Sequence, residues 1–365
     1  MTILSLDEKT EQNIIKQAIK ILESGGLVVY PTETCYGLAA DATNQEAINK
    51  LLSYKRRREG KPLSVLVDSK KTANKYVEIN ESASRLYERF LPGPMTVISK
   101  AKKNKLAEGI TSELGTLGIR ISSHPFAMAL SKAYGEAITA TSANASWQKK
   151  PYSIDDILNP LSEKQITLLD LIIDSGKLPK NEASTVVDTT LVDTMIVRSG
   201  DINLGTEAIE LISDSELETK ELAKRLCLKY WDKIRRQGLV FALIGDLGTG
   251  KTIFAKGVGE FLHIQDEITS PSYTLANEYL FNRNEVDGYF FHLDPWRLEN
   301  FAQVTQLGLN NMVGENKILA IEWANKFLPD IKEFAQQKNI SCIEVSFEQI
   351  NGNKRKLQVV ENGNK

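Results

Sequence analysis

The octapeptide Gly245-Asp-Leu-Gly-Thr-Gly-Lys-Thr252 constrains this 365-residue chain more than any other stretch. Glycines at this spacing let successive backbone N–H groups turn inward around phosphate oxygens, with Lys251 reaching the β- and γ-phosphates and Thr252 a magnesium ion. The flanks decide between such a cradle and a plain glycine-rich turn. Leu239 to Ile244 is a short apolar run suited to a buried parallel strand, and Thr252 to Leu262 reads as a helix. Strand, loop, helix is the order a phosphate loop needs. Gly245, Gly248, Thr249, Gly250, Lys251 and Thr252 are therefore the candidate phosphate-binding set.

Length predicts two domains. A hydrophobic content of 42% and a charged content of 25% are those of an ordinary globular protein, and a net charge of -2 argues against a general coat for nucleic acid. No apolar run approaches the length of a membrane span, and the N-terminus lacks the pattern of a signal peptide. Cys35, Cys227 and Cys342 are scattered, with no Cys-x-x-Cys and no histidine nearby, so a disulfide framework or zinc site is not expected. A cytoplasmic home follows as an expectation.

In the first two hundred residues, Ile14, Ile15, Ala18, Ile19 and Leu22 lie at helical spacing within Asp7 to Ser24, ended by Gly25-Gly26. Leu27 to Tyr30 reads as a buried strand that opens into the polar loop Pro31-Thr-Glu-Thr-Cys-Tyr-Gly-Leu38. Such a loop at a strand end suits ligand contact or a self-satisfied turn. Gln45 to Tyr54 reads as a helix running into Lys55-Arg56-Arg57-Arg58-Glu59-Gly60-Lys61-Pro62. That cluster is either a solvated basic face or an anion site pinned by the strand Leu63 to Val67. Strands are expected at Val97 to Ser99, Gly118 to Ile121 and Ala137 to Thr141, with a loop and helix lid over Pro151 to Glu163. Closing strands are expected at Leu168 to Asp174, Ser184 to Thr190 and Thr194 to Arg198. His124, before Pro125, reads as structural, and Cys35 as a small apolar residue rather than a nucleophile.

Six blocks of this half stand in a familiar order: Tyr30 to Leu38, the Lys55-x-Arg57 pair, Pro92-Gly-Pro with Thr96, Gly118-Ile-Arg120, Ser142-Ala-Asn144 and Ser184-Thr-Val-Val-Asp188. They resemble the YrdC/TsaC-type threonylcarbamoyl-AMP synthases. The resemblance implies a twisted, mixed α/β sheet around a concave basic cavity, and a reaction joining L-threonine, bicarbonate and ATP to give threonylcarbamoyl-AMP and pyrophosphate. It implies that Lys55, Arg57, Lys61 and Arg198 meet the triphosphate and that Thr116, Ser142 and Asn144 meet the nucleotide. Thr32, Arg120 and Ser184 would meet threonine, with Arg120 suited to a bidentate grip on its carboxylate. Lys55 and Arg57 are the expected catalytic pair, acting by position and charge.

The boundary is expected near residues 200–213, with a first domain over 1–205, a short junction over 206–213, a second domain over 214–350 and a polar, disordered tail over 351–365. Lys220 to Ile234 reads as an amphipathic helix, and Ile268 to Leu275 as a loop into a strand. Gly288 to Asp294 and Lys317 to Glu322 are apolar strands that each end in a carboxylate, as a nucleotide-bound magnesium requires. The P-loop octapeptide together with Ser270-Pro-Ser-Tyr273, Glu278-Tyr279, His292-Leu-Asp294, Arg297-Leu298 and Ile321-Glu-Trp323 resembles the TsaE (YjeE) ATPases. By that resemblance Thr252 and Glu322 hold magnesium, Asp294 is needed for hydrolysis, and Thr219 contacts base or ribose.

Together the two resemblances imply a bifunctional protein of tRNA threonylcarbamoyladenosine synthesis. It would bind ATP at two sites with Mg2+, act on a TsaB–TsaD type transferase complex, meet tRNA only indirectly and have no membrane partner. A rival of another class is an RNA-binding module coupled to a nucleotide switch, which predicts RNA affinity falling steeply with salt. A small-molecule kinase is a third, disfavoured because no acceptor-binding lid follows residue 252.

Overall fold

The structure is a computed structural model, and it describes residues 1–7, 9–55, 62–145, 148–190, 195–198, 200, 209–352 and 354–362. The chain divides into two compact units, the first holding the described residues up to Gly200 and the second those from Ile209 onward. Among the described residues no helix is long and apolar enough to cross a membrane.

The first unit holds two mixed sheets. One runs in the order Thr2–Ser5, Leu171–Asp174, Val28–Tyr30, Gly37–Ala39, Thr141–Ser142. The other runs Met195–Arg198, Thr185–Asp188, Met95–Ala101, Thr116–Arg120, Ser64–Leu66, Ile138–Thr139. The helix Glu11–Glu23 buries Ile14, Ile15, Ala18 and Leu22, the apolar stripe legible in the sequence, against the first sheet together with the helix Pro125–Tyr134. The run 137–141, expected as one strand, is two: Ile138–Thr139 pairs with Ser64–Leu66, and Thr141–Ser142 pairs with Gly37–Ala39. The chain changes sheets at Ala140, whose N–H donates to the Ser64 carbonyl at 2.8 Å. That switch carries Ser142 and Asn144 beside the C-terminal end of the helix Gln45–Lys55.

The second unit is one seven-stranded sheet, ordered Ile209–Ser213, Lys354–Asn362, Ser341–Asn351, Leu239–Ile244, Lys317–Ile321, Val286–Leu293, Ala276–Arg283. Its four middle strands after Lys354–Asn362 are parallel to one another. Two expectations need correction. The segment read as a junction contains the strand Ile209–Ser213, and the segment read as a disordered polar tail contains the strand Lys354–Asn362, each paired antiparallel with the other. Period two explains it: Leu357 and Val359 alternate with polar residues and are buried, so one face supplies core while the other stays wet.

The helix Glu216–Gln237 starts at Ser215, whose side chain accepts from the Glu218 N–H, a cap contributing about 1 kcal/mol. It ends at Gly238 with φ 84° and ψ 178°, a conformation open essentially to glycine alone, where a Cβ would lie 2.3 Å from the Gly314 carbonyl oxygen. Gly238→Ala is expected to destabilise this unit by roughly 2–5 kcal/mol through strain and backbone overlap, measured as a lowered urea midpoint.

Candidate active sites

In the first unit a cavity of about 280 Å³ opens among the ends of several strands, lined among others by Cys35, Ser64, Thr96, Arg120, Ser142, Lys150, Ser184 and Arg198. Four of the sequence-predicted residues, Arg120, Ser142, Ser184 and Arg198, thus meet at one void. Arg198 donates through Nε and Nη2 to the Ser184 carbonyl at 3.0 and 2.8 Å and through Nη2 to its hydroxyl at 2.8 Å. The Ser184 hydroxyl also bonds to that of Thr96 at 3.0 Å. Lys55 is buried, and its ammonium donates to the carbonyls of Ser142 and Asn144 at 2.5 and 2.7 Å. The Ser142 hydroxyl donates to Asn144 Oδ1, so these three residues are one hydrogen-bonded group.

Lys55 and Asn144 touch the lining residue Ser142 without lining the cavity themselves, and two further expected contacts sit elsewhere. Thr32 does not line the cavity: its hydroxyl donates to the Cys35 carbonyl at 2.6 Å and accepts from the Thr34 and Cys35 N–H groups, which ties the turn together. Thr116 pairs with the Ser112 hydroxyl at 2.7 Å, four residues from Arg120 and so about 13 Å away along the strand. Arg57 and Lys61 lie outside the described residues.

Sequence reasoning missed Glu33 as a partner. Its carboxylate accepts from Arg120 Nη2 and from the Ser122 hydroxyl, a largely buried ion pair with side chains 14% and 11% exposed for Glu33 and Arg120. Arg120 is therefore engaged by a protein carboxylate, and its buried Nε is left without a partner. Glu33 stood in the quoted loop, but only the approach of two strand ends reveals the pair. Burial raises the Cys35 thiol pKa, against the opposing pull of Arg120, which keeps it a neutral wall residue. His124 precedes the helix Pro125–Tyr134 as its N-terminal neighbour, and burial lowers its pKa.

The second site lies where the adjacent parallel strands Leu239–Ile244, Lys317–Ile321 and Val286–Leu293 end on one side of the sheet. Each strand delivers its next residues to a cavity of about 750 Å³: the glycine loop with Lys251 and Thr252, then Glu322 with Trp323, then Asp294. This is the strand-end crevice in which open α/β sheets bind ligands. Gly250 has φ 108° at the entry to the helix Lys251–Phe261, a left-handed turn that points the helix N-terminus into the cavity. Thr249 donates to the Asp246 carbonyl at 2.8 Å and closes the loop.

Lys251 Nζ donates to the carbonyls of Gly245 and Asp246 at 2.8 and 2.7 Å and stands 4.2 Å from the Trp323 ring centroid. Thr252 Oγ donates to Glu322 Oε1 at 2.7 Å, and the same oxygen lies 2.9 Å from His292 Nε2. Asp294 Oδ2 accepts from Ser272 at 2.5 Å and Ser270 at 3.3 Å, while its buried Oδ1 has no partner. A hydroxyl and two carboxylates around one void are hard oxygen donors, the set that fits magnesium carried on a nucleotide.

Thr219, expected at base or ribose, is buried and bonds to the Ser213 hydroxyl at 2.8 Å and the Ser215 carbonyl at 3.2 Å. Arg355 stands between it and the loop, with Nη1 3.4 Å from Thr219 Oγ and 2.5 Å from where a Gly250 Cβ would stand. Arg355 comes from the strand misread as a tail. Its signal was the alternation around Leu357.

Comparison with known proteins gives these arrangements a lineage. Residues 20–200 match the Sua5/YciO/YrdC family model, described as "Telomere recombination". A protein of Methanocaldococcus jannaschii is 34% identical over 185 residues, covering 51% of this chain and 84% of its own length. The chain belongs to the Sua5/YciO/YrdC family. A further member, the Vibrio vulnificus threonylcarbamoyl-AMP synthase, is 32% identical over 158 residues, 42% of this chain and 84% of that protein. Residues 213–357 match the family described as threonylcarbamoyl adenosine biosynthesis protein TsaE, so this Sua5/YciO/YrdC chain also carries a TsaE domain. Among solved structures, Pyrococcus abyssi Sua5 complexed with L-threonine aligns over 94% of this chain and 100% of that one, with a TM-score of 0.52 and 21% identity, a likeness of fold.

Proposed function

We propose that the first unit makes L-threonylcarbamoyladenylate and pyrophosphate from L-threonine, bicarbonate and ATP. The second unit then hydrolyses ATP with Mg2+ in the service of a TsaB–TsaD type transferase complex that modifies tRNA. The threonine amine takes up the bicarbonate carbon with loss of water. An oxygen of the resulting carbamate attacks the α-phosphorus, the bond to the β-bridging oxygen breaks, and pyrophosphate leaves. Three anionic groups must sit together, so the site needs cations and positioned donors rather than a protein nucleophile. Lys55 and Arg57 are assigned to catalysis, with Lys61, Thr116, Ser142, Asn144 and Arg198 toward the nucleotide and Thr32, Arg120 and Ser184 toward threonine.

The observation that carries this reading is the convergence of Arg120, Ser142, Ser184 and Arg198 on one cavity, in a chain whose relatives include named threonylcarbamoyl-AMP synthases. For threonine to be gripped by Arg120, its carboxylate displaces or joins Glu33 there, and the unpartnered Nε offers a second donor. In the second unit Lys251 and the loop amides would take phosphate, Thr252 and Glu322 would hold magnesium, and Asp294 would orient the attacking water. Bound magnesium would draw charge from the β- and γ-phosphate oxygens.

The test is pyrophosphate and adenylate production by the full chain with threonine or bicarbonate omitted in turn. Release is expected only with both present. Pyrophosphate release independent of threonine, or salt-sensitive RNA binding with none at all, would replace this reading with the RNA-binding one.

A further inference from the structure

Glu322 reaches the second cavity from the end of Lys317–Ile321, and one of its oxygens is already spoken for. Oε1 receives the Thr252 hydroxyl at 2.7 Å and faces His292 Nε2 at 2.9 Å. His292 is fully buried in Val286–Leu293, opposite Ala320 in the neighbouring strand, with its ring stacked on Phe290 at 6.1 Å between centroids. Its other ring nitrogen, Nδ1, is buried with no hydrogen-bond partner. A buried orphan nitrogen is a cost that phenylalanine or leucine would avoid at this place. The one polar bond the ring makes in return is to Glu322.

We propose that His292 is a positioning residue for Glu322. As the Nε2–H tautomer it donates to Oε1 and fixes the carboxylate's rotation, which turns Oε2 toward the cavity and the Thr252 side chain. Thr252 can go on donating its proton to Oε1 while a lone pair of its oxygen faces a cation. Without His292, Oε1 keeps only the Thr252 bond, and the carboxylate must be held by the same hydroxyl that the cation takes. Asp294, just past the end of the strand Val286–Leu293, is held by Ser270 and Ser272, so the two carboxylates are oriented by separate devices. This inference rests on the reading of the second unit as a magnesium-dependent ATPase.

The test uses the full chain, Mn2+ as a paramagnetic stand-in for Mg2+, and ADP. Mn2+ affinity in the presence of ADP is read by electron paramagnetic resonance, and metal-free ADP affinity by a fluorescent analogue. His292→Gln places an amide N–H where Nε2 stood; His292→Asn places it where Nδ1 stood; His292→Phe keeps the ring and removes the donor. Mn2+ affinity is expected to fall about 10–100-fold in His292→Phe and His292→Asn and to stay within about threefold in His292→Gln. Metal-free ADP affinity is expected to stay within about twofold throughout. Wild-type Mn2+ affinity in His292→Phe, or equal losses in His292→Gln and His292→Asn, would overturn the proposal; the latter pair decides if the Phe variant does not fold. Wild-type protein that binds ADP but no Mn2+ would sink the ATPase reading itself and the proposal with it.

Discussion

Lys251→Ala is expected to lower ATP hydrolysis about 100-fold or more and to leave threonine-dependent pyrophosphate release within about twofold. The ammonium stands among the carbonyls of Gly245 and Asp246 at the N-terminus of the helix Lys251–Phe261, inside the cavity that Thr252, Asp294 and Glu322 share. Burial lowers its pKa, and the carboxylates of Glu322, Asp294 and Asp246 oppose that fall. A surface charge contributes about 0–1 kcal/mol, too little for a large effect, whereas one preorganised donor aimed at developing charge contributes about 2.7–4 kcal/mol to the barrier. Truncation also leaves two loop carbonyls without their donor, so a urea midpoint should accompany the rates. Phosphate and pyrophosphate release from the same preparation separate the two reactions.

The mirror result is expected of Lys55→Ala: pyrophosphate release falls about 100–1,000-fold and ATP hydrolysis by the second unit stays within about twofold. Lys55 closes the helix Gln45–Lys55 and ties it to the loop after the sheet switch through Ser142 and Asn144. Its loss removes a cation beside the cavity and frees two carbonyls, a stability cost of about 1–3 kcal/mol confined to contacts of the first unit. Steady-state pyrophosphate release with saturating threonine and bicarbonate measures it, and a single variant silencing both reactions would contradict separate sites.

Local chemistry explains what the sequence made legible. The glycine loop could be read because its conformation is written in glycines, and Glu322 and Asp294 because an apolar strand ending in a carboxylate is a short-range pattern. Their adjacency required only that the strands be parallel neighbours, which the sheet order supplies. Contacts that depend on elements far apart in the chain were not legible. Arg120 meeting Glu33 depends on the ends of two strands in different sheets, and the division of residues 137–141 depends on which sheet offers each residue a partner. Lys354-Arg-Lys356 looked like a solvated tail because charge masked the period-two signal of Leu357 and Val359, and with it went Arg355, which packs against the glycine loop at Gly250. Thr32, Thr116 and Thr219 show another limit of sequence, which cannot tell that each hydroxyl bonds first within its own segment.

The central claim is that one chain holds two separate nucleotide pockets, and counting bound nucleotide tests it most directly. Equilibrium dialysis of the full chain with a non-hydrolysable ATP analogue, L-threonine and Mg2+ is expected to give two molecules bound per chain, falling to one in Lys55→Ala and to one in Lys251→Ala. One molecule bound to the unsubstituted chain, or both lost to either substitution, would contradict it.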